Sequence, residues 1–321
     1  MLRARQVFTR RVFNAPSSQS IGIFSQKRRI WTSAAKIKTP AEAQAFMGSK
    51  LVTLHKKVMV PDFAQLGLMD SRQLFEILRE RFEARNMQLI VASSNNADNI
   101  NYDQLGRLLS ESPNLDGTLV VKGSSRNALS DTPAVRQQHL DTIRTVRASG
   151  GRLLLPLRLD LAEDVVLRDI EHRLKLGADG FMTHPVFNVS RISPAVVKML
   201  QAIVREHPDF TIRVGALMLS EEFYNAVESR DGKLVSAQGA DLYPMRPRPA
   251  DGDWEQWNRE SMEGIRDFVK SLKLNQSMAD SSYSRVGIRH DEESVLKIAS
   301  IIEESVQDVQ VSATESVEEP A

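Results

Sequence analysis

The sequence predicts an α/β fold of parallel strands alternating with helices, and three observations carry that prediction. Short apolar runs begin near Leu51, Gln88, Gly117, Arg152, Gly180, Thr211 and Arg285, and most are followed by an amphipathic segment of helical period. Their spacing, roughly 30 residues, is that of repeated βα units, which bring parallel strands side by side. The runs also pass directly into small or polar residues: Ser93-Ser94-Asn95-Asn96, Lys122-Gly123-Ser124-Ser125-Arg126, Arg158-Leu159-Asp160, Thr183-His184 and Arg289-His290-Asp291. A doubly wound sheet would make the same alternation but needs a glycine-rich turn after an early strand, and none is present. The expected architecture is a (βα)8 TIM-like barrel with its chemistry at the carboxyl ends of the strands.

Taken in order, the chain opens on 41 residues without Asp or Glu and with nine basic residues: Arg3, Arg5, Arg10, Arg11, Lys27, Arg28, Arg29, Lys36 and Lys38. Serines and scattered apolar residues between them give the composition of a mitochondrial import presequence, and Arg28-Arg29-Ile30-Trp31-Thr32-Ser33 resembles a processing region. The expected division is a presequence at 1–41, one barrel domain at 42–306 and a disordered, acidic, Ser-rich tail at 307–321, with the protein in the mitochondrial matrix. The whole chain is +1, so removing the nine positive charges of the first segment leaves −8 on the remainder, which argues against a broad nucleic-acid-binding face. No stretch reaches the roughly 18 apolar residues of a membrane span. The absence of cysteine excludes disulfides, thiolate metal sites and a cysteine nucleophile.

Helices are expected at 71–84, 102–110, 133–149, 162–176, 194–206, 220–228, 254–274 and 291–304, several of them opened by a cap followed by proline, as in Thr132-Pro133 and Ser193-Pro194. The clearest βα unit surrounds Gly177 to Phe187. Val165, Val166, Ile170 and Leu174 fall at helical spacing, Gly177 stands where the helix should stop, and Gly180-Phe181-Met182-Thr183 is a short buried strand. Thr183 and His184 then face the mouth of the barrel.

Three strand ends carry a family resemblance. Leu119-Val120-Val121-Lys122-Gly123-Ser124 resembles the leucine-arginine-glycine-aspartate strand end of the methylenetetrahydrofolate reductase family. Gly177-Ala178-Asp179-Gly180-Phe181-Met182-Thr183-His184-Pro185 is similar to its glycine-alanine-aspartate and threonine-glutamine-proline segment, and Thr211 to Met218 is similar to its isoleucine-proline-glycine-isoleucine strand. The resemblance covers about residues 88 to 228. It implies a barrel that binds FAD and reduces a methylene-folate, with Lys122, Gly123, Ser124, Arg173 and Thr183 near the cofactor and His184 as the group able to transfer a proton.

The departures bear on function. Ser124 replaces the family's aspartate, His184 its glutamine, and the first-strand run containing the proton-donating glutamate has no counterpart in Leu51 to Asp62. Only about 35 residues separate that strand from the one at Gln88, so the barrel is expected to be shortened or incomplete at its first βα units. Two functional readings follow. One is a mitochondrial flavin- or folate-binding protein of one-carbon or redox metabolism, a flavin-dependent oxidoreductase if active. The other is a catalytically inactive barrel serving as a subunit or assembly factor of a matrix complex, or a homo-oligomer. A third enzyme class would bind a phosphorylated or carboxylated metabolite through Lys122, Arg158 and His184. Set against these are plain structural roles: Lys122 as a solvated strand-end lysine, Ser124 and Ser125 as turn residues, and Asp291 as a helix cap rather than part of a metal site with His290.

Overall fold

The computed structural model describes residues 30–34, 37–49, 57–60, 69–93, 102–122, 132–186, 188–216, 248–249, 251–272 and 277–280. Eight strands occupy Ile30–Ser33 (β1), Val58–Val60 (β2), Met87–Ala92 (β3), Gly117–Val121 (β4), Leu153–Leu157 (β5), Gly180–Pro185 (β6), Thr211–Ala216 (β7) and Ser277–Asp280 (β8). Seven helices alternate with them: Pro40–Gly48 (α1), Ser71–Arg79 (α2), Tyr102–Ser110 (α3), Pro133–Ala148 (α4), Glu163–Lys175 (α5), Pro194–Glu206 (α6) and Trp254–Ser271 (α7). Every strand pairing is parallel, each strand lies beside the next, and β8 returns to β1. The result is an α/β fold of the TIM-like type in which β2 to β7 form the curled, helix-covered part. Residues 281–321, where an eighth helix and the expected 291–304 segment would fall, lie outside the described residues, as do the expected 220–228 helix and the acidic tail.

The front of the chain differs from the sequence expectation. The first apolar run, expected from Leu51, is a strand only over Val58–Val60, and it is β2; β1 lies at Ile30–Ser33 inside the segment assigned to the presequence. Two short βα units therefore fit before β3, where counting from Leu51 left too little chain. The boundary at 41 also falls within α1, which Thr39 caps by accepting from the Glu42 amide, with Pro40 in the first turn. Composition located the boundary where acidic residues begin, and a four-residue strand among basic residues is invisible to that signal. Residues 1–29, which carry seven of the nine basic residues, lie outside the described residues.

Burial on both faces explains why β3 to β5 read as continuous apolar runs rather than alternating ones. Ile90, Leu119 and Leu154 stand side by side on the inner face and are joined there by Met59, Val121 and Met182, whereas two larger clusters lie between the sheet and the helices. Gly180 has to be glycine: a Cβ there would meet Leu154 Cδ2 and the Thr211 carbonyl oxygen at 2.5 Å each. Gly177 ends α5 at φ 84°, the left-handed conformation expected of a helix stop.

The amino-terminal end of the barrel is fastened by charges. Asp179 accepts from the Leu153 amide and from Arg147 on α4, both at 2.8 Å, so it ties β5, β6 and α4 together. Arg152 donates to the Asp209 carbonyl at 2.8 Å and to Thr211 Oγ1 at 2.7 Å. Inside, the fully buried Arg213 of β7 donates to the Asp116 carboxylate just before β4. This polar layer, with the buried Gln88 of β3, closes the end opposite the expected site.

Candidate functional site

The strand tips gather the polar residues that the sequence singled out, and the described residues separate them into three kinds. Lys122 is the first residue beyond the carboxyl end of β4 and is half-buried. His184 is the penultimate residue of β6 and is also half-buried. Beyond β5, Arg158 donates from Nε to Asp160 Oδ1 at 3.0 Å and from a second nitrogen to Oδ2, a two-point pair whose side chains are 12% and 20% exposed. That pair holds a planar cation at the rim in a fixed orientation.

Thr183 belongs to the second kind. Its hydroxyl donates to the His184 carbonyl at 2.8 Å and accepts from the Gly215 amide at 2.9 Å, where the β6–β7 register shifts between Met182 and Pro185. The buried hydroxyl closes the gap that this bulge leaves in the ladder, so its first role is to aim the end of β6, and with it His184. Alternation along the strand could not reveal this, because the bulge is a property of the β6–β7 pair.

Arg173 is of the third kind. It sits in the last turn of α5, its Nε 2.9 Å from Asp169 Oδ2, one turn earlier on the same helix. A helix that follows a strand runs back along it, which puts this turn beside the amino-terminal end of β6, away from Thr183 and His184. Gly123 and Ser124 lie outside the described residues, as do Asn95, Asn96, Asp98, Asn99 and the His290-Asp291 segment. Of the two cations expected beside a cofactor diphosphate, Lys122 directly follows β4 and Arg173 is held by Asp169 on α5.

Behind the mouth lies a group that the sequence did not flag. His139 of α4 packs against the end of β3, its Nδ1 3.0 Å from Ser93 Oγ. Its pKa is lowered to about 4, first by burial and then by the positive charges of Arg173, Lys122 and His172. The imidazole is thus neutral at pH 7. A single histidine on an amphipathic helix carries no sequence pattern that would single it out.

A pH effect follows. The unfolded chain binds a proton at this ring near pH 6.5 and the folded chain does not until about pH 4, so the contribution is fully present above 6.5 and is lost as pH falls toward 4. At pH 5 the loss should be about 2 kcal/mol. Urea midpoints at pH 7 and pH 5 check it: the wild type should lose this increment, and His139→Gln should not.

Two further features complete the face. A cleft of about 380 Å³ opens at the start of α7, lined by Arg248, Asp253, Trp257 and Glu260 among others, and Trp257 is buried with its ring centroid 6.0 Å from that of Trp254. Among the described residues no group of three His, Asp or Glu side chains could hold a metal ion, and no helix is long and apolar enough to cross a membrane.

No family model matches the sequence, and no curated protein matches it. Among solved structures, an uncharacterised protein from Clostridium thermocellum that binds two copies of 5-methyl-5,6,7,8-tetrahydrofolic acid is similar with a TM-score of 0.55 at 11% identity, over 89% of this chain and 95% of that one. The carboxyl transferase domain of Rhizobium etli pyruvate carboxylase aligns over 81% of this chain and 51% of its own, with a TM-score of 0.39 at 12% identity. The first likeness establishes a shared fold.

Proposed function

We propose that this protein binds a reduced folate at the carboxyl-terminal ends of its barrel strands. The observation that carries the reading is the fold likeness to the Clostridium thermocellum protein over nearly the full length of both chains, that protein being a binder of 5-methyltetrahydrofolate. The chemistry of the mouth supports it. A folate joins a flat, hydrogen-bonding pterin to a glutamate with two carboxylates; Lys122 and Arg158 supply cations for the carboxylates, and His184 supplies a ring nitrogen for the pterin edge.

Binding, rather than the family's reduction, is the part we propose. Ser124 stands where the family has aspartate, and β1, Ile30-Trp31-Thr32-Ser33, carries no acidic residue to act as the family's proton donor. These absences favour a second reading, a catalytically silent barrel that works as a subunit of a larger complex. Native gel filtration of an extract separates the two: elution at the mass of the single processed chain, below the 36.0 kDa of the full one, counts against the subunit reading.

The test of ligand binding is calorimetric titration with 5-methyltetrahydrofolate. Lys122→Met should weaken binding about tenfold, the loss of one charge-assisted contact, without moving the unfolding midpoint. Equal affinity in wild type and variant would remove Lys122 from the site. We also propose that residues 1–29 direct import into the mitochondrial matrix, leaving β1 with the folded domain. Incubation of the full chain with isolated mitochondria should yield a protease-protected product shortened by about 29 residues or fewer, as β1 requires; a product starting after Ser33 would overturn that boundary.

A further inference from the structure

Ser93 is fully buried at the end of β3, between the strand ends and α4, and its hydroxyl meets three polar atoms. Oγ lies 3.1 Å from the Val121 carbonyl oxygen, 3.5 Å from that of Lys122 and 3.0 Å from His139 Nδ1. The Ser93 amide also donates to the Val121 carbonyl at 2.9 Å. Carbonyl oxygens only accept and the hydroxyl has one proton; with that proton directed at the β4 carbonyls, the imidazole is the donor to Oγ. The neutral ring then carries its proton on Nδ1.

We infer that His139 and Ser93 form a positioning pair that fixes the tip of β4, and thereby Lys122, for the anionic end of the ligand. The choice of ligand rests on the proposed folate reading; the pair itself rests on the contacts. α4 is a stiff anchor for it, sixteen residues long and capped by Thr132, whose hydroxyl accepts from the Val135 amide. The hydrogen bonds run from α4 through Ser93 to the two carbonyls that flank the Lys122 Cα, those of Val121 and Lys122. The charged groups that act on His139 are Lys122 at the β4 end and Arg173 and His172 on α5. Ser93 is fully buried, so the pair acts through Lys122.

The experiment uses the full chain and three readouts. Nitrogen-resolved NMR should find the His139 proton on Nδ1. In Ser93→Ala, amide exchange at Lys122 should accelerate about tenfold and 5-methyltetrahydrofolate affinity should fall about tenfold, with exchange in β5 unchanged; Ser93→Thr should restore both. His139→Gln should lose affinity in the same direction. A proton on Nε2, or Lys122 exchange and affinity within about twofold of wild type in Ser93→Ala, would overturn the pair. If the wild-type protein binds no 5-methyltetrahydrofolate, the folate reading falls, and the tautomer and the Lys122 exchange rate still decide whether the pair positions the tip.

Discussion

Asp116→Ala should destabilise the fold by about 3–5 kcal/mol, because it strands a guanidinium inside the barrel. Arg213 is 1% exposed, and its charge is opposed there by the Asp116 carboxylate directly before β4. Burial already pushes its pKa down to about 9, which still leaves it charged at pH 7. Arg152 also approaches the Asp116 carboxylate, at 3.9 Å, but its side chain is 37% exposed and its hydrogen bonds go to the carbonyls of Asp116 and Asp209 and to Thr211. Removing both partners is a different matter: the double variant Asp116→Ala, Arg213→Met should recover most of the loss, since an apolar pair of similar volume carries no desolvated charge. Urea unfolding of the wild type, the single and the double variant checks this, and a single variant within about 1 kcal/mol of wild type would contradict the role given to the pair.

Phe181→Ala should cost about 3–5 kcal/mol by opening a cavity where β6 meets the helix layer. Phe181 is fully buried and meets Phe210 edge to face, with centroids 4.9 Å apart at 71°. Its neighbours Gly180 and Thr183 limit relaxation: one permits the close approach of Leu154 and Thr211, and the other locks the bulge to Gly215. The cavity should therefore collapse little. Phe181→Leu, which keeps most of the volume, should cost less than about 1.5 kcal/mol. Thermal unfolding of both variants checks the ordering, and near-equal losses would mean that the site repacks.

The middle of the chain was legible in the sequence because both local signals point the same way there. Helical periodicity located α3, and periodicity with the Ser193 cap located α6, at the residues where they occur, and Gly177 marked the end of α5 by the conformation it adopts. The front was not legible: β1 and β2 hold four and three residues, too few for a period, and β1 lies among residues whose basic composition signals import instead. At the site, βα spacing put Lys122 and His184 at the ends of β4 and β6, where the strands place them, but hydrogen bonds decided the rest. The hydroxyl of Thr183 serves the bulge, Arg173 pairs with Asp169, and Ser93 meets a histidine 46 positions away. The Arg173–Asp169 pair is local, four residues apart on one helix, whereas the other two join distant segments and depend on how strands and helices pack, which a single sequence does not encode in any local pattern.

The most direct test of a folate-binding mouth is calorimetric titration of the full chain with 5-methyltetrahydrofolate, beside Lys122→Met and Arg158→Met. Saturable heat for the wild type and about tenfold weaker binding for each variant, with unfolding midpoints that show both still folded, is the predicted result. No heat at millimolar ligand, or binding that neither substitution changes, would contradict the account.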